Sequence, residues 1–190
     1  MKITTDVDVG LGGPGLALRG RVHKIGHGIV GVTAGALFFV AASRTTSTGS
    51  TTDVVTYHND VARTGQNLNE TSLTPTTVTA ATFGKTRLLA TDGKVDAQPL
   101  FLSSLQVPGV GVRDVVYVAT EHDSVYAFDA ASGSTLWHVS LLGTGETTSD
   151  TRGCSQVTPE IGITSTPVID RSRGANGIVY VVAMSKTAAG

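Results

Sequence analysis

The stretch Val115–Val139, VVYVATEHDSVYAFDAASGSTLWHV, constrains this chain more than any other. VVYVAT and SVYAFD are rich in the β-branched and aromatic residues that suit a pleated, half-buried surface, and STLWHV follows after a turn. The segment therefore predicts three consecutive antiparallel strands. Within it lies Ala127-x-Asp129-x-x-x-Gly133-x-x-x-Trp137. Asp129 is placed to accept backbone N–H groups of the turn it starts, and Gly133 can take the positive φ that closes it. Trp137 then leaves the next strand as a large apolar plate with one N–H donor, a shape suited to stacking one small sheet on another.

An internal repeat points the same way. Gln98-Pro99-Leu100 recurs as Thr166-Pro167-Val168, and Val116-Tyr117-Val118 recurs as Val179-Tyr180-Val181. The period of about 65 residues exceeds the usual 40–50 of small-sheet repeats. Insertions at Ser103–Asp114, Gly143–Glu160 and Arg171–Gly177 account for the excess. Across 190 residues with 23 glycines, frequent threonine and no long helical period, the expectation is an all-β, turn-rich protein. A net charge of −1 without a basic stripe excludes nucleic acid as a partner.

On these residues the chain resembles the pyrroloquinoline quinone (PQQ) type β-propellers, whose blades carry A-x-D-x-x-x-G-x-x-x-W. Here the motif is AFDAASGSTLW, with Ser132 where the family usually has threonine. The run Val54–Asn69, VVTYHNDVARTGQNLN, is similar to the segment that begins many of these propellers. The resemblance implies a partial β-propeller of about two to three four-stranded antiparallel blades. A ring needs at least about four blades, so the chain reads as an amino-terminal fragment of a propeller that resembles an eight-bladed ring. Unclosed blade faces predict self-association. The motif specifies architecture and leaves chemistry open, because one fold hosts both enzymes and scaffolds.

In the quinoprotein dehydrogenases of this family, PQQ stacks between a tryptophan and a ring of two adjacent disulfide-bonded cysteines. Calcium held by Glu and Asn side chains polarises the quinone, and an Asp acts as base. This chain has one cysteine, Cys154, followed by Ser155, so that stacking ring cannot form. Asp96 stands three residues before Pro99, where the related enzymes have a glutamate near the quinone. Glu121, His122 and Asp123 form an acidic–imidazole triplet, and Glu160 lies in a family-like PEIGIT run. Asp96 and Glu121 are therefore the candidate cofactor-binding residues, with PQQ and calcium the cofactors the resemblance implies. The residues alone leave Asp96 as a solvated or turn-bonding acid. They leave Glu121 and Asp123, which project to one side together, as either a cation pair or solvated loop acids. Trp137 reads as an inter-blade docking residue, with Ala127, Asp129 and Gly133 as the turn that places it. No catalytic residue is assigned, and no phosphate loop, G-x-S-x-G elbow or H-E-x-x-H occurs.

Three regions follow along the chain: 1–43 as a leader, 44–53 as a polar linker and 54–190 as the repeats. Arg19, Arg21 and Lys24 precede the uncharged run Gly28–Ala42, which closes on Val40-Ala41-Ala42 before Ser43. A basic flank, an apolar core and a small-residue exit predict a signal peptide, with an apolar helix that is short of the ~20 residues of a membrane span. An uncleaved anchor and a buried core helix are the alternatives, and the long stretch before Arg19 suggests a true start near Val22. Tyr57, His58, Asn59, Asp60 and Arg63 read as a capping loop, with a ligand- or metal-facing cluster the alternative, although His58 lacks a second His or Cys at ligand spacing. Leu73–Val78 reads as a turn and short helix start, Phe83–Ala90 as a first blade strand and Val95–Leu102 as an innermost strand. Gln106–Arg113 reads as a loop and Leu141–Pro159 as a long polar loop. The expected function is a binding or scaffold module exported to the periplasm or exterior of a bacterium. The alternatives are the amino-terminal part of a PQQ- and calcium-dependent alcohol or sugar dehydrogenase, or an outer-membrane assembly or cell-surface propeller.

Overall fold

The computed structural model describes residues 2–4, 53–174 and 177–187. The apolar run and most of the leader and linker lie outside those residues. Every regular element described is a strand: β1 (Lys2–Thr4), β2 (Leu100–Val107), β3 (Gly111–Ala119), β4 (Ser124–Asp129), β5 (Thr135–Ser140), β6 (Glu146–Thr148), β7 (Val168–Asp170), β8 (Ile178–Tyr180) and β9 (Ala183–Thr187). They form a four-stranded sheet ordered β2-β3-β4-β5, a β7-β8 hairpin, and a three-stranded sheet ordered β1-β9-β6. All pairings are antiparallel.

The four-stranded sheet is a simple meander, and its connections follow from local chemistry. Pro99 has no N–H to give a ladder, so β2 begins one residue later. The β2–β3 hairpin turns through Pro108–Val110, with positive φ at Gly109 and Gly111 on either side of Val110. A register shift falls between Leu102 and Leu105, where Ser104 also takes positive φ. Carboxylates serve the displaced amides there: Ser103 N–H donates to Asp53 Oδ1 (2.8 Å) and Ser104 N–H to Asp114 Oδ1 (2.8 Å). β4 is buried along its whole length because it is central in the sheet and covered on both faces. One face carries Leu100, Leu102, Val115, Tyr117, Ala119, Val125 and Ala127, which share a core with Ile163, Ile169, Val179 and Val181 from the second repeat. The other carries Val118, Tyr126 and Phe128, with Leu89 packed against them.

The two repeats adopt one register. Leu100 faces Tyr117 across β2 and β3, and Val168 faces Tyr180 across β7 and β8. Phe101 opposite Val116 is matched by Ile169 opposite Val179. Val54 and Val55 join the two hairpins. Val54 and Phe101 exchange backbone hydrogen bonds at 2.8 and 3.0 Å, while Ile169 N–H donates to the Val55 carbonyl at 2.8 Å. Gln98 N–H also donates to Thr166 Oγ1 at 3.0 Å, tying the two x-Pro segments together.

Several sequence expectations need correction. The second repeat contributes the two-stranded β7–β8 hairpin, and β9 pairs with β6 and β1. Phe83–Ala90 forms no strand, because nothing offers it a ladder, and Phe83 and Leu88 stand exposed. Gln106–Arg113 is largely hairpin, with only its middle in the turn. The polar stretch 141–159 contains β6, which pairs with β9. Leu73–Val78 forms one hydrogen-bonded turn, with Val78 N–H on the Thr74 carbonyl, and no helix. The polar side chains of the 57–67 loop bond largely within it. Arg63 donates to Thr56 Oγ1 and the Tyr57 carbonyl, and Asn59 donates to the Gln66 carbonyl.

Candidate functional site

The turn between β3 and β4, Thr120–Asp123, is where the segments of the two repeats meet. Its backbone closes through Thr120 N–H on Ser124 O (2.9 Å) and Asp123 N–H on Thr120 O (3.2 Å), with Asp123 at φ 53°. Other segments then bond to it. Glu121 N–H donates to Lys94 O, Leu141 N–H to Asp123 O, and Ile163 N–H to Thr120 O.

Glu121 and Asp123 are both fully buried, so they are not solvated loop acids. Glu121 Oε2 accepts Gly162 N–H at 2.8 Å and Thr164 Oγ1–H at 2.9 Å. Glu121 Oε1 and both oxygens of Asp123 are buried without a hydrogen-bond partner. Gly162 fits between the turn's atoms because it has no side chain. A Cβ there would lie 2.2 Å from the Glu121 carbonyl oxygen and 2.7 Å from Asp123 Oδ1. Burial raises the Asp123 carboxyl to about 7. The nearby charges of Glu121 and Glu160 push it the same way, against the Met184 amide and His122. That amide makes its own hydrogen bond to the Gly162 carbonyl at 3.1 Å.

His122, between the two acids in sequence, faces away from them. Its Nδ1 lies 2.9 Å from Glu160 Oε1, and Thr148 Oγ1–H donates to Glu160 Oε2. The hydrogen bond to Glu160 raises the His122 pKa. Burial pushes Glu160 up, but its bonds to Thr148 and His122 outweigh that and leave it lowered. On the far side of the turn, Asp92 accepts from Thr120 Oγ1 (3.0 Å) and Ser124 Oγ (2.6 Å). His138 Nε2 lies 3.0 Å from Ser124 Oγ while its ring stacks on Tyr126 at 4.2 Å. This Asp–Ser–His string is not a nucleophilic triad. Ser124 is fully buried and directs its proton to a carboxylate.

The fold separates the two candidate cofactor residues by role. Asp96 pairs with Lys94 at 2.9 Å, and Lys94 also donates to the Gln156 carbonyl. Glu121 is bound within the junction. Among the described residues no group of three or more His, Cys, Asp or Glu is arranged to hold a metal ion. Cys154 is exposed and unpaired.

The motif residues are brought together. Asp129 Oδ1 accepts Ala131 N–H and Ser132 N–H at 2.9 and 2.8 Å, and Gly133, at φ 77°, donates to the Asp129 carbonyl. Ser132 and Ala131 N–H groups lower the Asp129 pKa, with Arg113 Nε 3.0 Å from its other oxygen. Ala127 stands opposite both Tyr117 and Trp137, and the half-buried Trp137 packs on the shared core.

Sequence reasoning missed Gly162, Gly93, Asp92 and Asp53. A Cβ on Gly93 would lie 2.8 Å from the His122 Cβ. No local pattern marks these positions, since their partners are distant in sequence. The matched x-Pro strands were the available signal that Gly162 and the β3–β4 turn belong to neighbouring repeats. Comparison with known proteins yields no matching family model, no matching curated relative and no matching solved structure.

Proposed function

We propose that this chain is a PQQ-like β-propeller module that serves binding or scaffolding and is exported from a bacterial cell. The observation that carries this reading is the common register of the two hairpins, Leu100 opposite Tyr117 and Val168 opposite Tyr180. Recurrent sheets with one register are what a radial repeat requires. The meander β2-β3-β4-β5 has the strand order of a propeller blade, with Trp137 on its outermost strand as the docking plate. Export rests on the basic flank and apolar run that end at Ala42.

A scaffold is favoured over a dehydrogenase by what the candidate residues already do. Asp96 holds Lys94, Glu121 holds Gly162 and Thr164, and the lone Cys154 cannot form a cysteine ring. The test is titration of the chain with PQQ and Ca²⁺, followed by dye-linked alcohol and sugar oxidation. Neither tight quinone binding nor turnover is expected. Tight binding with turnover would replace this reading with a quinoprotein dehydrogenase.

A further inference from the structure

The junction between the repeats contains a buried polar group that no bond in the fold explains. Glu121 and Asp123 are fully buried two residues apart, and three of their four carboxylate oxygens have no hydrogen-bond donor. Both carboxyl groups border Gly162: Glu121 Oε2 takes its N–H at 2.8 Å, and Asp123 Oδ1 lies 2.7 Å from where its Cβ would stand. Two buried carboxylates, one of them with no hydrogen-bond donor and the other with donors on one oxygen only, are strongly unfavourable when both are charged. Nearby cations are engaged elsewhere. Lys94 turns to Asp96 and Gln156, and His122 turns to Glu160. The three-stranded sheet contributes the Met184 amide, which bonds Gly162, and Glu160 adds a further negative charge.

We propose that Glu121 and Asp123 share one proton, and that its loss loosens the β3–β4 turn from the Gly162–Thr164 segment. In the closed form Asp123 carries the proton and donates it to Glu121 Oε1. That single bond gives Glu121 Oε1 and one Asp123 oxygen a partner, with Oε2 still bound to Gly162 and Thr164. As pH rises through about 7 the proton passes to water and leaves two charged carboxylates buried beside Gly162. The least costly response is to hydrate them by parting the turn from Gly162, the contact that joins the first repeat to the second. The sign follows from the raised Asp123 value. Its stabilising contribution is complete below the ordinary 3.8, fades as pH rises, and is gone above about 7.

The test uses the full chain labelled with ¹³C at aspartate carboxyl carbons, following the Asp123 resonance with pH. A midpoint near 7 is expected, falling by about one pH unit in Glu121→Gln, as for a coupled pair. A midpoint near 3.8, or one unmoved by Glu121→Gln, overturns the shared proton. If Glu121→Gln does not fold, thermal unfolding of Asp123→Asn gives an independent answer. The native chain should lose thermal stability as pH rises from about 4 to about 7, and the variant, with a neutral donor at that position, should lose less. Equal loss in both overturns the proposal. Addition of CaCl₂ or MgCl₂ at pH 7 is expected to leave the Asp123 resonance in place. A metal-dependent shift abolished by Asp123→Asn would assign a cation to the pair and overturn it.

Discussion

The rings of Tyr117 and Trp137 meet 5.8 Å apart at 55°, although β4 runs between their strands. Ala127 makes this possible. It faces Tyr117 on one side and Trp137 on the other, and its single methyl leaves room for the rings to close over it. Aromatic pairs favour such tilted geometry at this separation. The alanine of the motif is therefore a spacer for the tryptophan ten residues on. Ala127→Leu is expected to destabilise the chain by about 1–3 kcal/mol through overpacking of a fully buried site. Denaturant unfolding followed by Trp137 fluorescence checks this, since Trp137 is the one tryptophan in the sequence.

Gly162 gives a sharper contrast between positions that both lack a side chain. Gly162→Ala places a methyl against backbone atoms of Glu121, which cannot swing aside. A loss of about 3 kcal/mol is expected, at the severe end for overpacking. Gly84→Ala meets nothing within 4 Å and should stay within about 0.5 kcal/mol of the native chain. Equal effects in thermal melts would contradict the packing at the junction.

Asp53 fastens the segment that precedes β2 to both repeats. It accepts Ser103 N–H and Oγ–H from the first and pairs with Arg171 from the second. Burial raises its pKa, but the Ser103 and Arg171 contacts outweigh that and leave it lowered. The stabilisation is thus present above the ordinary 3.8 and lost as pH falls through the lowered folded value. Asp53→Ala should cost about 1.5–3 kcal/mol at neutral pH, the range for hydrogen bonds to a charged group. The deficit relative to the native chain should shrink in acid, as measured by urea unfolding at successive pH values.

The turn that Asp129 starts and Gly133 closes was legible in the sequence because the contacts it needs are local. Asp129 bonds amides two and three residues on, and Gly133 supplies its own positive φ. The repeat was legible for a similar reason: proline and β-branched residues mark strand starts wherever they occur. What could not be read was the pairing of distant segments. Val54 and Val55 bridge the two hairpins without a strand-length pattern, and β9 pairs with the distant β6 and β1. The burial of Glu121 and Asp123 was also hidden. Acidic residues in a turn next to His122 look solvated until residues 160–164 close over them.

Exposed apolar residues gather on the 57–90 segment, where Leu68, Phe83 and Leu88 are 86%, 62% and 81% exposed. Such a surface favours association. Sedimentation velocity across a concentration series is expected to show self-association. The double change Phe83→Ser and Leu88→Ser should reduce it with little change in melting temperature, since Phe83 and Leu88 belong to neither buried cluster. Concentration-independent monomers would count against this.

The repeat architecture itself is tested most directly by backbone NOEs across the strands in solution. The account predicts cross-strand contacts for Leu100 with Tyr117 and, in the same register, Val168 with Tyr180, together with contacts from Val55 to Ile169. A β7–β8 hairpin shifted by one residue, or one with no contact to Val55, would contradict it.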